Sequence, residues 1–223
     1  MRLVFASNNA HKLAEVREIM PAGIEVLSLR EIGFEQEIDE TGTTLEENSK
    51  IKAEAVAAFI NGKWKMENGK CTIDGIFADD TGLEIDALDG KPGVYTARWY
   101  SQMDNGQWKM DNGHLSEQEV FAANRAKALR ELDGKTNRGA QFRTVITLIK
   151  LSAVSRQPSD IQVEGIVRGR IATEEYGEGG FGYDPIFIPE GYDKTFGELP
   201  AEVKNGISHR ARALQELAKI IGD

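Results

Sequence analysis

Residues 2–12, Arg2-Leu3-Val4-Phe5-Ala6-Ser7-Asn8-Asn9-Ala10-His11-Lys12, run from an apolar stretch through a polar turn into a helical pattern. RLVFA predicts a short strand, and Leu13, Val16, Ile19 and Met20 then recur at helical spacing, with Lys12, Glu15, Arg17 and Glu18 on other faces. A strand that feeds a polar turn and then a helix N-terminus is an α/β beginning. Such a junction presents unpaired amides and a positive dipole end, which suits phosphate. Ser7 and Asn9 offer side-chain hydrogen bonds there, and Lys12 adds a point charge. Taken alone, a plain helix cap beside a solvated lysine is the simpler reading, since the Gly-x4-Gly-Lys pattern of a P-loop is absent.

Outward from that opening, residues 24–29 predict a second strand. Thr43 and Glu46 fit a capping box, and the helix behind it places Ile51, Ala55, Ala58 and Phe59 on one apolar face. Asn68-Gly69, at the centre of the polar stretch 61–74, predicts a small β-ribbon. Ile76-Phe77-Ala78 reads as a short strand running into Asp79-Asp80, and 102–113 as a mobile surface loop. Ser116 and Glu119 make a second capping box, for a helix to about Leu132. Residues 141–151 and 161–172 alternate Thr, Val and Ile with polar residues and predict two long strands. A last helix starts at Ser208, with Ala211, Leu214, Leu217, Ala218 and Ile221 on one face. With no repeat, low-complexity tract or linker, residues 1–223 read as a single domain of the α/β class.

Composition narrows the function. Of 223 residues, 40% are apolar and 28% charged, a globular balance. Lys and Arg number 27 against 36 Asp and Glu, and the net charge of -9 argues against broad binding to nucleic acid. Local binding of a polyanion through a few basic groups, backbone amides and a divalent metal stays open. The single cysteine, Cys71, excludes an internal disulfide and a multi-cysteine zinc site. No signal-peptide pattern and no apolar run of membrane-spanning length is present, so the expectation is a soluble cytoplasmic protein with no membrane partner.

Four clusters carry chemistry beyond the opening turn. Glu40-Thr41-Gly42 precedes the first capped helix, on which Glu47, Lys50 and Glu54 read as surface pairing while Asn48 and Lys52 are placed to face a pocket. Asp79-Asp80-Thr81-Gly82 brings two carboxylates together, which is unfavourable unless a cation or hydrogen bonds offset the repulsion. Hard oxygen ligands without His or Cys clusters favour magnesium or manganese over zinc. An acidic β-turn explains the same four residues equally well. Residues 177–185, GEGGFGYDP, combine glycines that admit close backbone approach with Phe181 and Tyr183, whose rings can face a base. Finally Lys204, His209 and Arg210 surround a helix start that Ser208 can cap. Cations there oppose the helix dipole, by about 0.3–1 kcal/mol, unless an anion lies nearby.

Five segments in one order, FASNNAHKLAEV, ETGTTLEENSKIKA, FADDTGLEIDALDGKPGVYTARW, GGFGYDPIF and KNGISHRARAL, resemble the inosine triphosphate pyrophosphatase family, the noncanonical purine NTP (dITP/XTP) pyrophosphatases. They extend from Phe5 to Leu214. The resemblance implies a long, twisted mixed β-sheet with flanking helices forming two lobes around a central cleft, a homodimer, and a magnesium-dependent enzyme, with manganese possible. It implies hydrolysis of ITP, dITP and XTP to the monophosphate and pyrophosphate.

Carried over by position, Ser7, Asn8, Asn9, Ala10, His11 and Lys12 match the triphosphate-binding loop, and Lys52 a helix lysine that reaches the phosphates. Glu40 matches the metal-binding carboxylate, Asp80 the residue that both contacts metal and accepts the proton, and Asp79 its support. Thr81 stands where the family has a substrate-contacting serine. Phe181, Gly182, Tyr183, Asp184, Lys204, His209 and Arg210 match positions around the base and sugar. A donor from Arg210, or from a backbone amide beside it, would select a 6-keto over a 6-amino purine. Ser7 for threonine and Thr81 for serine preserve a hydroxyl, whereas Phe196-Gly197-Glu198-Leu199 lacks the alanine of the family's Ala-Glu-Leu segment. The competing readings are a related pyrophosphatase for pyrimidine or modified NTPs and a nucleotide sensor without turnover.

Overall fold

A computed structural model describes residues 1–63, 73–101, 115–151 and 160–222. The strands are β1 (Arg2–Phe5), β2 (Glu25–Leu27), β3 (Gly75–Ile85), β4 (Pro92–Gly93), β5 (Gly139–Lys150), β6 (Asp160–Ile171) and β7 (Phe187–Pro189). The helices are α1 (Ala10–Ile19), α2 (Leu45–Lys63), α3 (Glu117–Glu131), α4 (Ala201–Ile207) and α5 (His209–Gly222). The sheet runs β2-β1-β3-β5-β6-β7, with β4 pairing β3 off that path. β1 is parallel to both β2 and β3, whereas β3–β4 and β6–β7 are antiparallel, so the sheet is mixed as expected.

Two compact units make up the chain, one of residues 1–80, 144–165 and 208–223, the other of 81–143 and 166–207. In the first, alternation along the strands builds two cores. Val4, Ala6, Ile76, Ala78 and Ile149 pack with Ala53, Val56, Ala57 and Ile60 of α2. Leu3, Phe5, Phe77, Ile146 and Leu148 pack instead with Val16 of α1 and Ala213, Leu214 and Leu217 of α5. Successive strand residues point to opposite faces, so in the first half of β3 the even-numbered positions face α2 and the odd-numbered ones face α1 and α5. α5 comes close to β6, since a Cβ on Gly165 would lie 2.1 Å from the His209 carbonyl oxygen. The second unit has its own core, with Leu83, Ile85, Trp99, Ala128, Phe142, Tyr183, Phe187 and Phe196 among its members.

Several expectations change. The capping box of α2 is Thr44 with Glu47: Thr44 Oγ1 accepts from Glu47 N–H at 3.1 Å, and the Glu47 carboxylate accepts from Thr43 and Thr44 N–H. Glu47 is therefore a cap rather than a surface-pair partner, while Lys50 pairs with Glu54 at 3.8 Å as expected and also with Asp160 at 2.6 Å. Ser116 and Glu119 do form the expected box, and Ser208 Oγ accepts from Ala211 N–H at 3.2 Å at the start of α5. The Asn68-Gly69 ribbon and the 102–113 loop lie outside the described residues, except that 61–63 continue α2. β3 does not stop before the acidic pair but runs through it for 11 residues, which removes the acidic-turn reading.

Candidate active site

The first unit holds one cluster on each face of β3. Asp79, on the odd-numbered face, is almost fully buried, and Lys12 Nζ donates to its Oδ1 at 3.0 Å while Arg210 Nε donates to its Oδ2 at 3.1 Å. Arg210 also pairs with Glu15 of α1 through Nη1. Lys12 lies in the first turn of α1, which Asn9 caps by accepting from the Lys12 N–H at 2.9 Å, and Ser7 Oγ accepts from Asn9 N–H at 3.3 Å. Asn8 and Ala10 are exposed and His11 half-buried on the same turn. The carboxylates of Asp79 and Glu15 thus supply the anions that Arg210 needs at a helix start.

Asp80, on the even-numbered face, meets α2. Lys52 Nζ bridges two carboxylates, donating to Asp80 Oδ1 at 3.1 Å and to Glu40 Oε1 at 2.9 Å. Asp80 Oδ2 is buried with no hydrogen-bond partner among the described residues. Adjacent in sequence, the two aspartates accept from different cations, Asp79 from Lys12 and Arg210 and Asp80 from Lys52, while Lys12 and Lys52 act electrostatically on both.

The electrostatics of the two faces diverge accordingly. Burial acts to raise the Asp79 carboxyl, but Lys12, Arg210 and Lys52 overcome it and hold the group well below the usual carboxylate range. Burial raises Asp80, reinforced by Glu40, and here Lys52 and Lys12 do not fully compensate. Lys12 is lowered, chiefly by burial, with Lys52 and Arg210 adding to the effect against the pull of Asp79. Lys52 is raised: burial opposes its charge, but Asp80 and Glu40 prevail. An unpartnered carboxylate oxygen beside a second carboxylate fits a hard divalent cation. Among the described residues no group of three or more His, Cys, Asp or Glu side chains is assembled, and a small cation of that kind needs only one or two carboxylates plus water and phosphate oxygens.

The remaining expected residues lie in the second unit, except His209, which is buried at the start of α5 in the first. Asp184 Oδ2 accepts from Phe181 N–H at 2.8 Å and from Lys204 Nζ at 2.7 Å, and that ammonium lies 4.7 Å from the centre of the Phe181 ring. Gly180 must be glycine: its φ is +72°, and a Cβ would lie 2.1 Å from Asp184 Oδ2. Tyr183 is buried and donates to the Thr96 carbonyl at 3.0 Å, which directs its hydroxyl into the unit's own fold; burial raises that phenol. Thr81 is half-buried on β3. Sequence reasoning missed Arg125, which donates to the Gly182 carbonyl at 2.9 Å and pairs with Glu175 at 3.0 Å, and Phe121, whose ring centre lies 6.2 Å from that of Phe181. Their spacing on α3 is a helical i, i+4 pair, but nothing in that spacing identifies a partner so distant in sequence.

Buried carboxylates paired with lysines beside a strand–turn–helix junction are the chemistry that suits a polyphosphate and a hard cation. The model of the Ham1 family matches residues 3–220, and the chain belongs to that family. It is 45% identical over 220 residues to a dITP/XTP pyrophosphatase of Bacillus subtilis, covering 98% of this chain and 96% of the relative. A dITP/XTP pyrophosphatase of Flavobacterium johnsoniae is 40% identical over 221 residues, covering 99% and 98%. Among solved structures, the Ham1 protein of Staphylococcus aureus superimposes with a TM-score of 0.75 at 35% identity, over 100% of this chain and 98% of that one.

Proposed function

We propose that this chain hydrolyses ITP, dITP and XTP between the α and β phosphorus atoms, releasing the nucleoside monophosphate and pyrophosphate. The observation that carries the reading is the Glu40–Lys52–Asp80 bridge with its one unpartnered carboxylate oxygen. Relatives named for dITP and XTP, alike over nearly the full chain, supply the substrate class.

Glu40 and Asp80 would hold the cation, magnesium in this reading and manganese as the substitute. When bound, such a cation offsets phosphate charge and acidifies coordinated water. Asp80 is the base: its carboxylate takes a proton from the attacking water, a new phosphorus–oxygen bond forms, the anhydride bond breaks, and pyrophosphate leaves. Lys52 has three N–H donors and gives two to carboxylates, so one remains for a phosphate oxygen. Lys12 and the turn from Ser7 to His11 bind the rest of the triphosphate, and Asp79 holds Lys12 in place. For base and sugar, the family resemblance points to Thr81, Phe181–Asp184, Lys204, His209 and Arg210. We also assign residues 1–223 to one catalytic domain, a homodimeric state, and a place in the cytoplasm beside the nucleotide pool. No described helix is long and apolar enough to cross a membrane.

Pyrophosphate release from ITP, XTP, dITP, GTP, ATP and dTTP, with magnesium and with EDTA, tests the proposal. Fast release from the first three, abolished by EDTA and slight from ATP and GTP, is expected. Release from dTTP alone would move the enzyme to pyrimidines, and nucleotide binding without pyrophosphate from any substrate would leave a sensor.

A further inference from the structure

Glu40 lies on a stretch without helix or strand ahead of α2, so its carboxylate must be fixed from outside that stretch. The start of α2 is itself well fixed. The buried Ser49 and Thr147 hydroxyls are 2.7 Å apart, and Gln162 Nε2 donates to Thr147 Oγ1 and to the Glu46 carbonyl, each at 3.0 Å. Asn48, in that first turn, is fully buried, and its Oδ1 accepts from the Gly42 N–H at 2.8 Å. The fit is close, since a Cβ on Gly42 would lie 2.6 Å from the same oxygen. One helical turn later, Lys52 reaches Glu40 itself.

Asn48 Nδ2 is buried without a partner among the described residues. Leaving a buried donor unmatched is unfavourable, and a residue kept only to fill space would avoid it by being apolar. The side chain contributes instead as an acceptor for Gly42, two residues beyond Glu40. We infer that Asn48 is a positioning residue that fixes the Glu40 carboxylate against α2 and thereby sets the affinity for the divalent cation. The inference rests on Glu40 being a ligand of that cation, as proposed above. Asn48 and Lys52, at i and i+4, secure the loop at its backbone and at its carboxylate respectively.

The test is Mn2+ binding to the full chain, followed by electron paramagnetic resonance with the non-hydrolysable α,β-methylene analogue of ITP present. Wild type is compared with Asn48→Leu, Asn48→Asp and Glu40→Gln. Asn48→Leu keeps the branched shape but not the acceptor and should weaken Mn2+ binding by about 10-fold or more, the range seen for outer partners of metal ligands. Asn48→Ala takes its place should the Leu variant not fold. Asn48→Asp retains an acceptor and should return binding to within about 3-fold of wild type. In turnover, the Leu variant's loss should lie in the magnesium activation constant and fade at saturating magnesium, a pattern that general loosening of α2 does not give. Equal weakening in the Leu and Asp variants overturns the inference, as does wild-type affinity in the Leu variant while Glu40→Gln binds weakly; Glu40 then stands alone as ligand. Wild-type affinity in Glu40→Gln removes the Glu40 assignment and the Asn48 inference with it.

Discussion

Asp79 and Asp80 share a side chain, a strand and deep burial, yet they face opposite sides of β3 and do different things. Both oxygens of Asp79 are engaged, one by Lys12 from the first turn of α1 and one by Arg210 from α5. Asp80 has one oxygen on Lys52 and one without a partner. The first carboxylate is held firmly ionised and ties α1 and α5 to the strand. The second is held less comfortably, which suits a group that must take a proton. Proximity in sequence therefore says little about shared chemistry; the pleat of a strand separates neighbours more completely than a turn would.

The contrast can be broken by substitution. Asp79→Asn should produce the largest loss of stability, about 3–5 kcal/mol in urea or thermal unfolding, because it removes the carboxylate that Lys12 and Arg210 share and leaves Arg210 with Glu15 alone. Arg210→Ala should destabilise somewhat less, by about 3 kcal/mol, since Lys12 still meets Asp79. The same variant should lower the preference for ITP over ATP, and an unchanged ratio would take Arg210 out of base selection. In the second unit, Lys204→Met removes the ammonium from Asp184 and from the Phe181 ring. It should raise KM for ITP by about 10-fold, roughly 1.4 kcal/mol, with a smaller change in kcat. The smallest effect belongs to Ser116→Ala, which removes the cap of α3 at a cost of about 1 kcal/mol and leaves turnover unchanged. In that variant the Glu119 carboxyl, now held low by its hydrogen bonds to Ser116, should titrate nearer its ordinary value in an NMR titration.

What the sequence disclosed follows the range of the interactions involved. β1, α1, the Ser116 box and the long strands β5 and β6 rest on local periodicity and capping, and these were legible. The helix α4 was not, because 7 residues are too few to establish a period. Thr43 and Thr44 both satisfy the capping pattern, so the choice between them waited on the path of the loop. Asp79-Asp80-Thr81-Gly82 has the local chemistry of a turn, and only the pairing of β3 with β1 before it, with β4 after it and with its neighbour β5 makes it the middle of a strand. Within the site, residue types were readable and partners were not. Arg210 meets Asp79 across 131 residues of chain, and Arg125 meets Gly182 across 57, distances at which spacing carries no information.

In the proposed mechanism Asp80 performs the chemistry, while Asp79 holds α1, α5 and the phosphate-binding Lys12 in place. The most direct test of that division is the turnover of Asp80→Asn on ITP at saturating magnesium, read beside its melting temperature. A fall in kcat of about 10²–10⁴-fold, the range for loss of a general base, is expected. The melting temperature should equal or exceed that of wild type, because the amide relieves a carboxylate that burial disfavours. Near-wild-type turnover in a folded Asp80→Asn protein would contradict the proposed mechanism.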